Sequence, residues 1–262
     1  MDKPRNLQLD NGSSLAYHHR QGANPGVLFF PGFNSNMCGN KALALDAWSE
    51  EQGIQFTRFD YSGHGASSGN MEEGSIGRWR DDALAVLDAI TQGPQLLVGS
   101  SMGGWIMLLA ALARPERVVG LVGIAAAPDF TERLREQRLD AQQLAQLAAT
   151  GFCAMPNRYD DGEPYRIGQH LLDESRHHVL LNDEIPLTVP VRLIHGQCDE
   201  DVPWQQALRI AEQLQSVDVE IQLVKSGDHR MSEPQDIKRL LHTMGELRQA
   251  IVHDDSLWLM HS

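Results

Sequence analysis

The chain has 262 residues, which is enough for one large α/β domain with a substantial core. Its 22 Lys and Arg residues against 35 Asp and Glu residues give a formal net charge of −13, which argues against nucleic acid and anionic membranes as partners. No apolar run approaches the roughly 18 residues that a membrane-spanning helix needs, so no membrane span is expected.

The cysteines and the first residues bear on the compartment. Cys38, Cys153 and Cys198 are far apart and form no C-x-x-C pair, which predicts neither a disulfide framework nor a zinc site. The segment Met1–Asn6 has no apolar core of the kind found in a signal peptide. We therefore expect a cytoplasmic protein, or a protein of the mitochondrial matrix if an upstream presequence has been removed.

The first strands are predicted at the beginning of the chain. Leu7–Leu9 and Leu15–His18 flank a turn that contains Asp-Asn-Gly, which indicates a hairpin, with a loose arm as the alternative. Val27–Phe30 is a run of four apolar residues that ends at Pro-Gly. Such a run is typical of a central strand buried on both faces.

The next segments alternate between helix and strand. Lys41–Gly53 has the pattern of an amphipathic helix closed by glycine, and Gln55–Tyr61 that of a strand. The glycine- and serine-rich residues 62–69 form a loop at the carboxyl end of this strand, where ligands usually bind in open α/β sheets. His64 in this loop has two interpretations, a loop anchor, which we favour, and a contact to substrate. Ser75–Ile90 is predicted to be a helix with Ser75 as its N-cap.

A short motif between a strand and a helix indicates chemistry. Leu96–Val98 is predicted to be a buried strand and Trp105–Ala113 a helix, with only a tight turn between them. Residues 99–103 in this turn, Gly-Ser-Ser-Met-Gly, fit the G-x-S-x-G nucleophile elbow, in which a serine is exposed on a strained turn. Ser101 is the candidate nucleophile because Ser100 is flanked by Val and Met instead of glycines.

Alternating strands and helices continue up to Val118–Ala127, which is predicted to be another buried strand. The alternation predicts a mostly parallel sheet of about eight strands flanked by helices. Residues 128–190 then separate one strand from the next by more than a crossover helix requires. We interpret this segment as an inserted cap, with residues 1–127 and 191–262 forming the core.

The predicted cap has two parts and an unusual set of cations. Thr131–Ala149 should be helical, whereas Met155–Tyr165 is a loop with Pro and Gly. Arginines suit the capture of an anionic substrate group, but the whole chain has 18 Arg and 4 Lys, which favours a general bias. The adjacent His177 and His178 lack a third ligand at metal-binding spacing and are interpreted as packing or surface residues. The cap arginines are Arg133, Arg135, Arg138, Arg158, Arg166 and Arg176.

A carboxylate follows the next strand. Val191–His195 is predicted to be a strand, and Asp199 is the first carboxylate after it. Asp201 is the rival, but it lies closer to the helix that Val-Pro-Trp opens and is expected to cap that helix. His195 at the strand end is interpreted as structural.

The last predicted strand, Val219–Val224, precedes a short loop that contains His229. A closing helix is predicted over Pro234–Ala250. Among eleven histidines, His229 alone lies between the final strand and the closing helix, so it is the candidate base. Ser101, Asp199 and His229 therefore follow each other in the order that a Ser-Asp-His triad has in α/β-hydrolases.

On these residues the sequence resembles the α/β-hydrolase superfamily of serine hydrolases, with an inserted cap. Within it, the chain is similar to the mitochondrial palmitoyl-protein thioesterases and mycophenolic acid acyl-glucuronide esterases. The resemblance spans roughly residues 27–250 and implies the same triad. It lies in Arg58–Gly63, Gly74–Trp79, Gly99–Trp105, Ala113–Glu116, Met155-Pro156, His177-His178, His195-Gly196, Asp201–Trp204 and Asp228–Met231. No match is visible for His64 or for the tail His253–Ser262, in which Trp258 and Leu259 could pack on the body or on another subunit.

The function expected from these residues is serine-dependent hydrolysis of carboxylic esters or thioesters through an acyl-enzyme. The oxyanion hole is predicted from position to be the backbone N–H groups of Phe33, after the third strand, and Met102, after the nucleophile. The mechanism requires no metal or organic cofactor, and the expected substrate is a small ester or acyl thioester or an acylated protein. The alternatives are an amidase, a peptidase or a carbon–carbon hydrolase on the same scaffold, and a binding module with little turnover. The sequence leaves the oligomeric state open.

Overall fold

One mixed sheet dominates the computed structural model, which describes residues 3–156 and 164–259, with side chains described through residue 253. The strands of these residues are β1 (Arg5–Gln8), β2 (Ser14–Arg20), β3 (Ala23–Phe30), β4 (Ile54–Phe59), β5 (Gln95–Ser100), β6 (Val118–Ile124), β7 (Phe152–Met155), β8 (Tyr165–Gly168), β9 (Val191–Gly196) and β10 (Val219–Val224). Eight of these described strands form the sheet in the order β1-β2-β4-β3-β5-β6-β9-β10, and β7 and β8 form a separate hairpin.

Helices cover both faces of this sheet. They are α1 (Asn40–Glu51), α2 (Ile76–Ile90), α3 (Met102–Ala113), α4 (Phe130–Arg133), α5 (Ala141–Thr150), α6 (Gln169–Glu174), α7 (Gln205–Gln213) and α8 (Pro234–Leu259). Single 3₁₀ turns lie at residues 71–73, 115–117 and 175–178, and a π-helical turn lies at residues 134–138. No described helix is both long enough and apolar enough to cross a membrane.

Six neighbouring strands of the sheet, β4, β3, β5, β6, β9 and β10, run parallel. At one edge, β1 pairs antiparallel with β2, and β2 pairs antiparallel with β4. The predicted fold class, a mostly parallel eight-stranded sheet flanked by helices, is thereby confirmed. Parallel strands end at the same edge of a sheet, so the loops that follow β3, β5, β9 and β10 lie next to one another. These four loops contain the residues predicted to do the chemistry.

The core is divided by the sheet because consecutive strand residues face opposite sides. In β5, Leu97 packs in the cluster that contains Trp79 and Trp105 from helices α2 and α3. Its neighbour Val98 packs in the other cluster, with residues of α1 and α8 such as Leu45 and Met244. Both faces of the central strands are therefore buried, which explains why their sequences are uninterrupted apolar runs instead of alternating ones.

Several predicted elements differ from the observed ones. The strand predicted over Val118–Ala127 ends at Ile124, because Ala125 adopts a left-handed φ of 45°. The helix predicted over Thr131–Ala149 is interrupted between residues 138 and 141, where Asp140 caps the start of α5 in a capping box with Gln143. The closing helix extends past the predicted residue 250 to Leu259.

The segment Met155–Tyr165, predicted to be a loop, begins and ends in strands, since Met155 ends β7 and Tyr165 begins β8. These two residues pair with each other in the antiparallel hairpin. Residues 157–163, including Arg158, lie outside the described residues, as do the side chains of Trp258 and Leu259.

Candidate active site

Ser101 lies on a sharp turn between β5 and α3. Its φ of 55° and ψ of −122° are strained for a residue with a side chain, as is typical of a nucleophile elbow. The turn is held by the Ser101 N–H, which donates to the carbonyl of Ile124 at 2.9 Å, and by the Ser101 carbonyl, which accepts from Ala127 at 3.0 Å. A side chain at Gly103 would overlap the backbone carbonyls that follow β3, so this position requires glycine.

His229 connects the candidate nucleophile to the candidate acid. Its Nε2 lies 2.9 Å from Oγ of Ser101, and its Nδ1 lies 2.8 Å from Oδ2 of Asp199. An ionised carboxylate only accepts hydrogen bonds, so Nδ1 carries the proton and Nε2 is free to accept from the serine hydroxyl. The structure thus brings all three predicted residues into one hydrogen-bonded chain, although they are far apart in sequence.

The carboxylate of Asp199 is enclosed and fully hydrogen-bonded. Its side chain has 0% exposure, and Oδ1 accepts the backbone N–H groups of Asp201 at 2.9 Å and Val202 at 2.8 Å. Burial alone would raise the pKa of this carboxyl, but hydrogen bonds from His195 and His229 outweigh burial and hold the pKa well below its ordinary value. Asp199 is therefore ionised and fixed in orientation.

The rival carboxylate, Asp201, does not cap a helix, so that prediction is wrong. Helix α7 begins at Gln205, and no side chain caps it. Asp201 instead accepts a hydrogen bond from the guanidinium of Arg138 at 3.0 Å. The helix starts later because Pro203 and Trp204 precede its first turn, which places Asp201 too far back to reach an N-terminal N–H.

The two predicted oxyanion donors border the same cavity as Ser101. Met102 is the first residue of α3, so its N–H has no partner within the helix. The loop that contains Phe33 passes close to the nucleophile, since a Cβ built on Gly32 would lie 3.4 Å from Cβ and 4.0 Å from Oγ of Ser101. The location fits both backbone donors, and their role stays a prediction.

His64 anchors this same loop, a contact that the sequence interpretation did not specify. Its Nε2 accepts the backbone N–H of Asn34 at 3.3 Å, and Nδ1 lies 3.3 Å from the carbonyl of Ser62. Burial lowers the pKa of His64, and the hydrogen bond to Ser62 opposes this only in part. The neutral ring also packs edge-on against Phe33. His64 is buried, which agrees with the loop-anchor interpretation.

Two cavities meet at Ser101. The first has a volume of about 170 Å³ and lies between the triad and the predicted cap. Apart from two arginines, the cap side chains that line it are apolar or aromatic: Phe130, Leu134, Met155, Tyr165 and Ile167. The second has a volume of about 220 Å³ and also borders Ser101 and His229. Its wall includes the polar side chains of Asn34, Asn36, Lys41, Arg230 and Ser232 beside those of Phe29 and Phe33.

Most of the described cap arginines form ion pairs. The pairs are Arg135 with Asp173, Arg138 with Asp201, Arg166 with Glu72 and Arg176 with Glu132. Arg133 differs, because it lines the apolar cavity and no described carboxylate lies within ion-pair distance of it. Burial, followed by the charge of Arg138, lowers the pKa of Arg133. Arg138 also lines this cavity, so what sets Arg133 apart is that it lines the cavity without a described carboxylate partner.

His178, one of the two adjacent histidines of the predicted cap, contacts a carboxylate. His178 Nε2 lies 2.7 Å from Glu174 Oε1, and Glu174 also accepts the backbone N–H of Gly77. Among the residues that the structure describes, no three His, Cys, Asp or Glu side chains are grouped so that they could hold a metal ion.

His195 and Lys41 are contacts of the site that sequence reasoning missed. His195 Nε2 lies 3.1 Å from Oδ2 of Asp199. Lys41 Nζ donates to the carbonyl of Arg230 and, at 3.1 Å, to Oγ of Ser232. Both acceptors lie in the loop directly after His229. The only sequence signal was the position of His195, four residues before Asp199 at a strand end. Lys41 had none, because its partners are distant in sequence.

The sequence of this chain is similar to those of known proteins. The family model described as serine aminopeptidase, S33 matches residues 23–161. The mitochondrial palmitoyl-protein thioesterase ABHD10 of Rattus norvegicus is 46% identical over 234 residues, which are 89% of this chain and 78% of that protein.

Two solved structures are similar over nearly the whole chain. The mouse alpha/beta hydrolase domain-containing protein 10 superposes with a TM-score of 0.88 at 43% identity, covering 95% of this chain and 100% of that chain. A putative hydrolase from Agrobacterium vitis S4 superposes with a TM-score of 0.89 at 38% identity, covering 94% of this chain and 98% of that chain.

Proposed function

Because this chain belongs to the α/β-hydrolase family described as serine aminopeptidase, S33, together with the ABHD10 palmitoyl-protein thioesterases, we propose that its triad is Ser101, His229 and Asp199. The chain is a serine hydrolase, and the relatives that match it over most of its length are named palmitoyl-protein thioesterases. The observation that carries the proposal is the continuous chain of hydrogen bonds, 2.9 Å from Ser101 to His229 and 2.8 Å from His229 to Asp199.

The geometry supports a two-step reaction. His229 Nε2 removes the hydroxyl proton as Ser101 Oγ attacks the carbonyl carbon, and the same proton then goes to the leaving thiolate or alkoxide. Asp199 stabilises the imidazolium without taking its proton. The N–H groups of Phe33 and Met102 donate to the oxyanion, each contributing about 3 to 4 kcal/mol in comparable enzymes. Water, activated by His229, then hydrolyses the acyl-enzyme.

The two cavities suggest how a substrate lies across Ser101. Apolar side chains such as Phe130 and Ile167 suit the hydrocarbon part of an acyl group in the cap-side cavity. The cavity bordered by Asn36, Lys41 and Ser232 suits a polar leaving group. We propose acyl thioesters and carboxylic esters as the substrate class, including acylated protein and acyl-glucuronide-like esters. No step in this reaction uses a metal or organic cofactor.

Two observations bear on the compartment. The relatives that match over most of the chain are named mitochondrial. Cys38, Cys153 and Cys198 are free thiols, as is usual in a reducing compartment. The cytoplasm and the mitochondrial matrix both satisfy this condition, and we propose the cytoplasm, or the mitochondrial matrix if an upstream presequence has been removed.

A kinetic panel tests the function. Wild type, Ser101→Ala and the neighbouring Ser100→Ala are assayed with 4-nitrophenyl esters and acyl thioesters of two to sixteen carbons. We expect turnover by wild type and by Ser100→Ala, and a loss of about 10⁴-fold or more for Ser101→Ala. Wild-type rates in the Ser101→Ala variant would contradict the proposed nucleophile.

A second candidate function comes from the description of the matching family model, which names an aminopeptidase. The same triad can cleave amides, because the scaffold does not fix the bond that is broken. Amino-acid 4-nitroanilides are therefore included in the panel. A kcat/KM for these amides above that for thioesters would favour the peptidase.

A further inference from the structure

A second histidine contacts the carboxylate of the proposed triad. His195 is the second-to-last residue of β9 and has 1% exposure. Its Nε2 lies 3.1 Å from Oδ2 of Asp199 and 3.0 Å from the backbone carbonyl of Val202. The same Oδ2 accepts from His229 at 2.8 Å. One carboxylate oxygen therefore lies between two imidazole rings.

The two partners of His195 determine which ring nitrogen carries the proton. The carboxylate of Asp199 and the carbonyl of Val202 can only accept hydrogen bonds. Nε2 of His195 must therefore be protonated, and its N–H is shared between both acceptors. The ring is a donor to Asp199, which makes it different in kind from a buried histidine that only fills space.

With His195 included, each oxygen of Asp199 has two donors. Oδ1 accepts two backbone N–H groups, from Asp201 and Val202, and these stop the carboxylate from shifting along the loop. Oδ2 accepts the two imidazole N–H groups. If the His195 donor were removed, one side of Oδ2 would be buried without a partner, and the carboxylate could tilt away from His229.

The backbone around His195 fixes where its ring lies. A Cβ on the next residue, Gly196, would overlap the carbonyl of Gly227, so β9 and the loop that carries His229 are in direct backbone contact. The Cys198 N–H also donates to the Gly227 carbonyl, at 2.9 Å. This contact keeps both imidazoles within reach of Oδ2 of Asp199.

We propose that His195 is a positioning residue for the hydrolytic reaction, whose Nε2–H holds Oδ2 of Asp199 in line with Nδ1–H of His229. The proposal rests on the proposed function of the triad. His195 lines neither of the two cavities that meet at Ser101 and acts through the carboxylate alone. Its loss should therefore slow catalysis without weakening substrate binding.

The experiment compares donor-free and donor-retaining variants. His195→Phe and His195→Leu remove the donor, whereas His195→Gln keeps an N–H at nearly the position of Nε2. For the donor-free variants we expect kcat to fall about 10-fold to 30-fold with KM within about twofold, and for His195→Gln a fall of no more than about threefold. His178→Phe is the matched control, because His178 also contacts a carboxylate but borders neither cavity, and it should retain the wild-type kcat.

A double-mutant cycle separates positioning from packing. In an Asp199→Asn background the orientation of the carboxylate no longer matters, so His195→Phe should lower kcat by less than about twofold further. An undiminished 10-fold loss in that background, or equal losses for His195→Gln and His195→Phe, would overturn the proposal. If wild type itself neither turned over esters nor reacted with a fluorophosphonate, the proposed function would fail instead, and the two failures are thereby distinguishable.

Discussion

The strand-end loops and the predicted cap position their residues in different ways. The loops carry the triad at the ends of paired strands, and the pairing of His195 with Leu223 in β9 and β10 sets the acid and base loops side by side. The predicted cap contacts the core through aromatic side chains. The ring centre of Tyr165 is 5.5 Å from that of Phe33, and Phe130 packs against Trp105.

The difference separates chemistry from selectivity. A parallel ladder repeats along the chain, so a residue after one strand has a fixed relation to a residue after the next. Contacts between aromatic rings have no such repeat and tolerate exchange of one apolar side chain for another. We therefore expect changes at strand ends to alter kcat by orders of magnitude and changes in the cap to alter substrate preference by small factors.

The largest effect is expected at the base and the acid. His229→Ala should lower kcat by about 10⁵-fold to 10⁶-fold, because it removes the base that takes the Ser101 proton. Asp199→Asn should lower kcat by about 10⁴-fold, because the amide no longer fixes the tautomer of His229 or stabilises its imidazolium. Asp201→Asn is the matched control, since Asp201 lies two residues from the acid but pairs with Arg138, and we expect a loss within about fivefold. Steady-state kinetics on one thioester measures all three. Loss of activity in Asp201→Asn equal to that in Asp199→Asn would break the distinction.

A smaller effect is expected in the cap. Arg133→Met removes a half-buried charge from the apolar cavity. It should raise kcat/KM for neutral long-chain thioesters about threefold, because the acyl chain of the substrate no longer desolvates a guanidinium. Arg166→Met serves as the control, since Arg166 pairs with Glu72 and does not line that cavity. A fall in kcat/KM for Arg133→Met would instead indicate that this cation binds part of the substrate.

The smallest effect is expected at Lys41, a helix residue that reaches the loop after His229. Burial and the charge of Arg230 lower the pKa of Lys41 to about 8, against the opposing charges of Asp228 and Asp236. Below pH 8 the ammonium is charged and its hydrogen bonds to the loop are strongest, so Lys41→Met should lower kcat about threefold there. As the pH rises through 8, wild type loses this charge and the ratio of the two rates should approach one. A pH-rate series on wild type and Lys41→Met measures this ratio of rates. A ratio that stayed constant across pH 8 would contradict the prediction.

Much of the core could be predicted from the sequence because its signals are local. Apolar runs such as Val27–Phe30 mark buried strands, and the glycines around Ser101 mark a turn where backbones touch. The contact of His195 could not be predicted, because a histidine at a strand end has the same local pattern whether or not a carboxylate faces it. The contact of His64 could not be predicted because its partner Asn34 is thirty residues away in sequence. The geometry brings the predicted triad together, and its catalytic role stays a prediction.

The cap was harder to predict for physical reasons. The helix predicted over Thr131–Ala149 has a uniform composition, and its interruption depends on the side chain of Asp140 bonding to the backbone N–H of Gln143. The spacing of Asp140 and Gln143 fits a capping box, but the prediction used helix propensity alone. The extent of the cap as a unit of residues 128–190 also remains a prediction.

Labelling with a fluorophosphonate probe, followed by peptide mass spectrometry, tests the central claim most directly. That claim is that His229 and Asp199 make one hydroxyl in this chain reactive. We predict a single phosphonylated residue, Ser101, in wild type and in Ser100→Ala, and labelling that is slower by at least a hundredfold in His229→Ala. A protein that stayed unlabelled at Ser101, or that reacted equally fast without His229, would contradict the account.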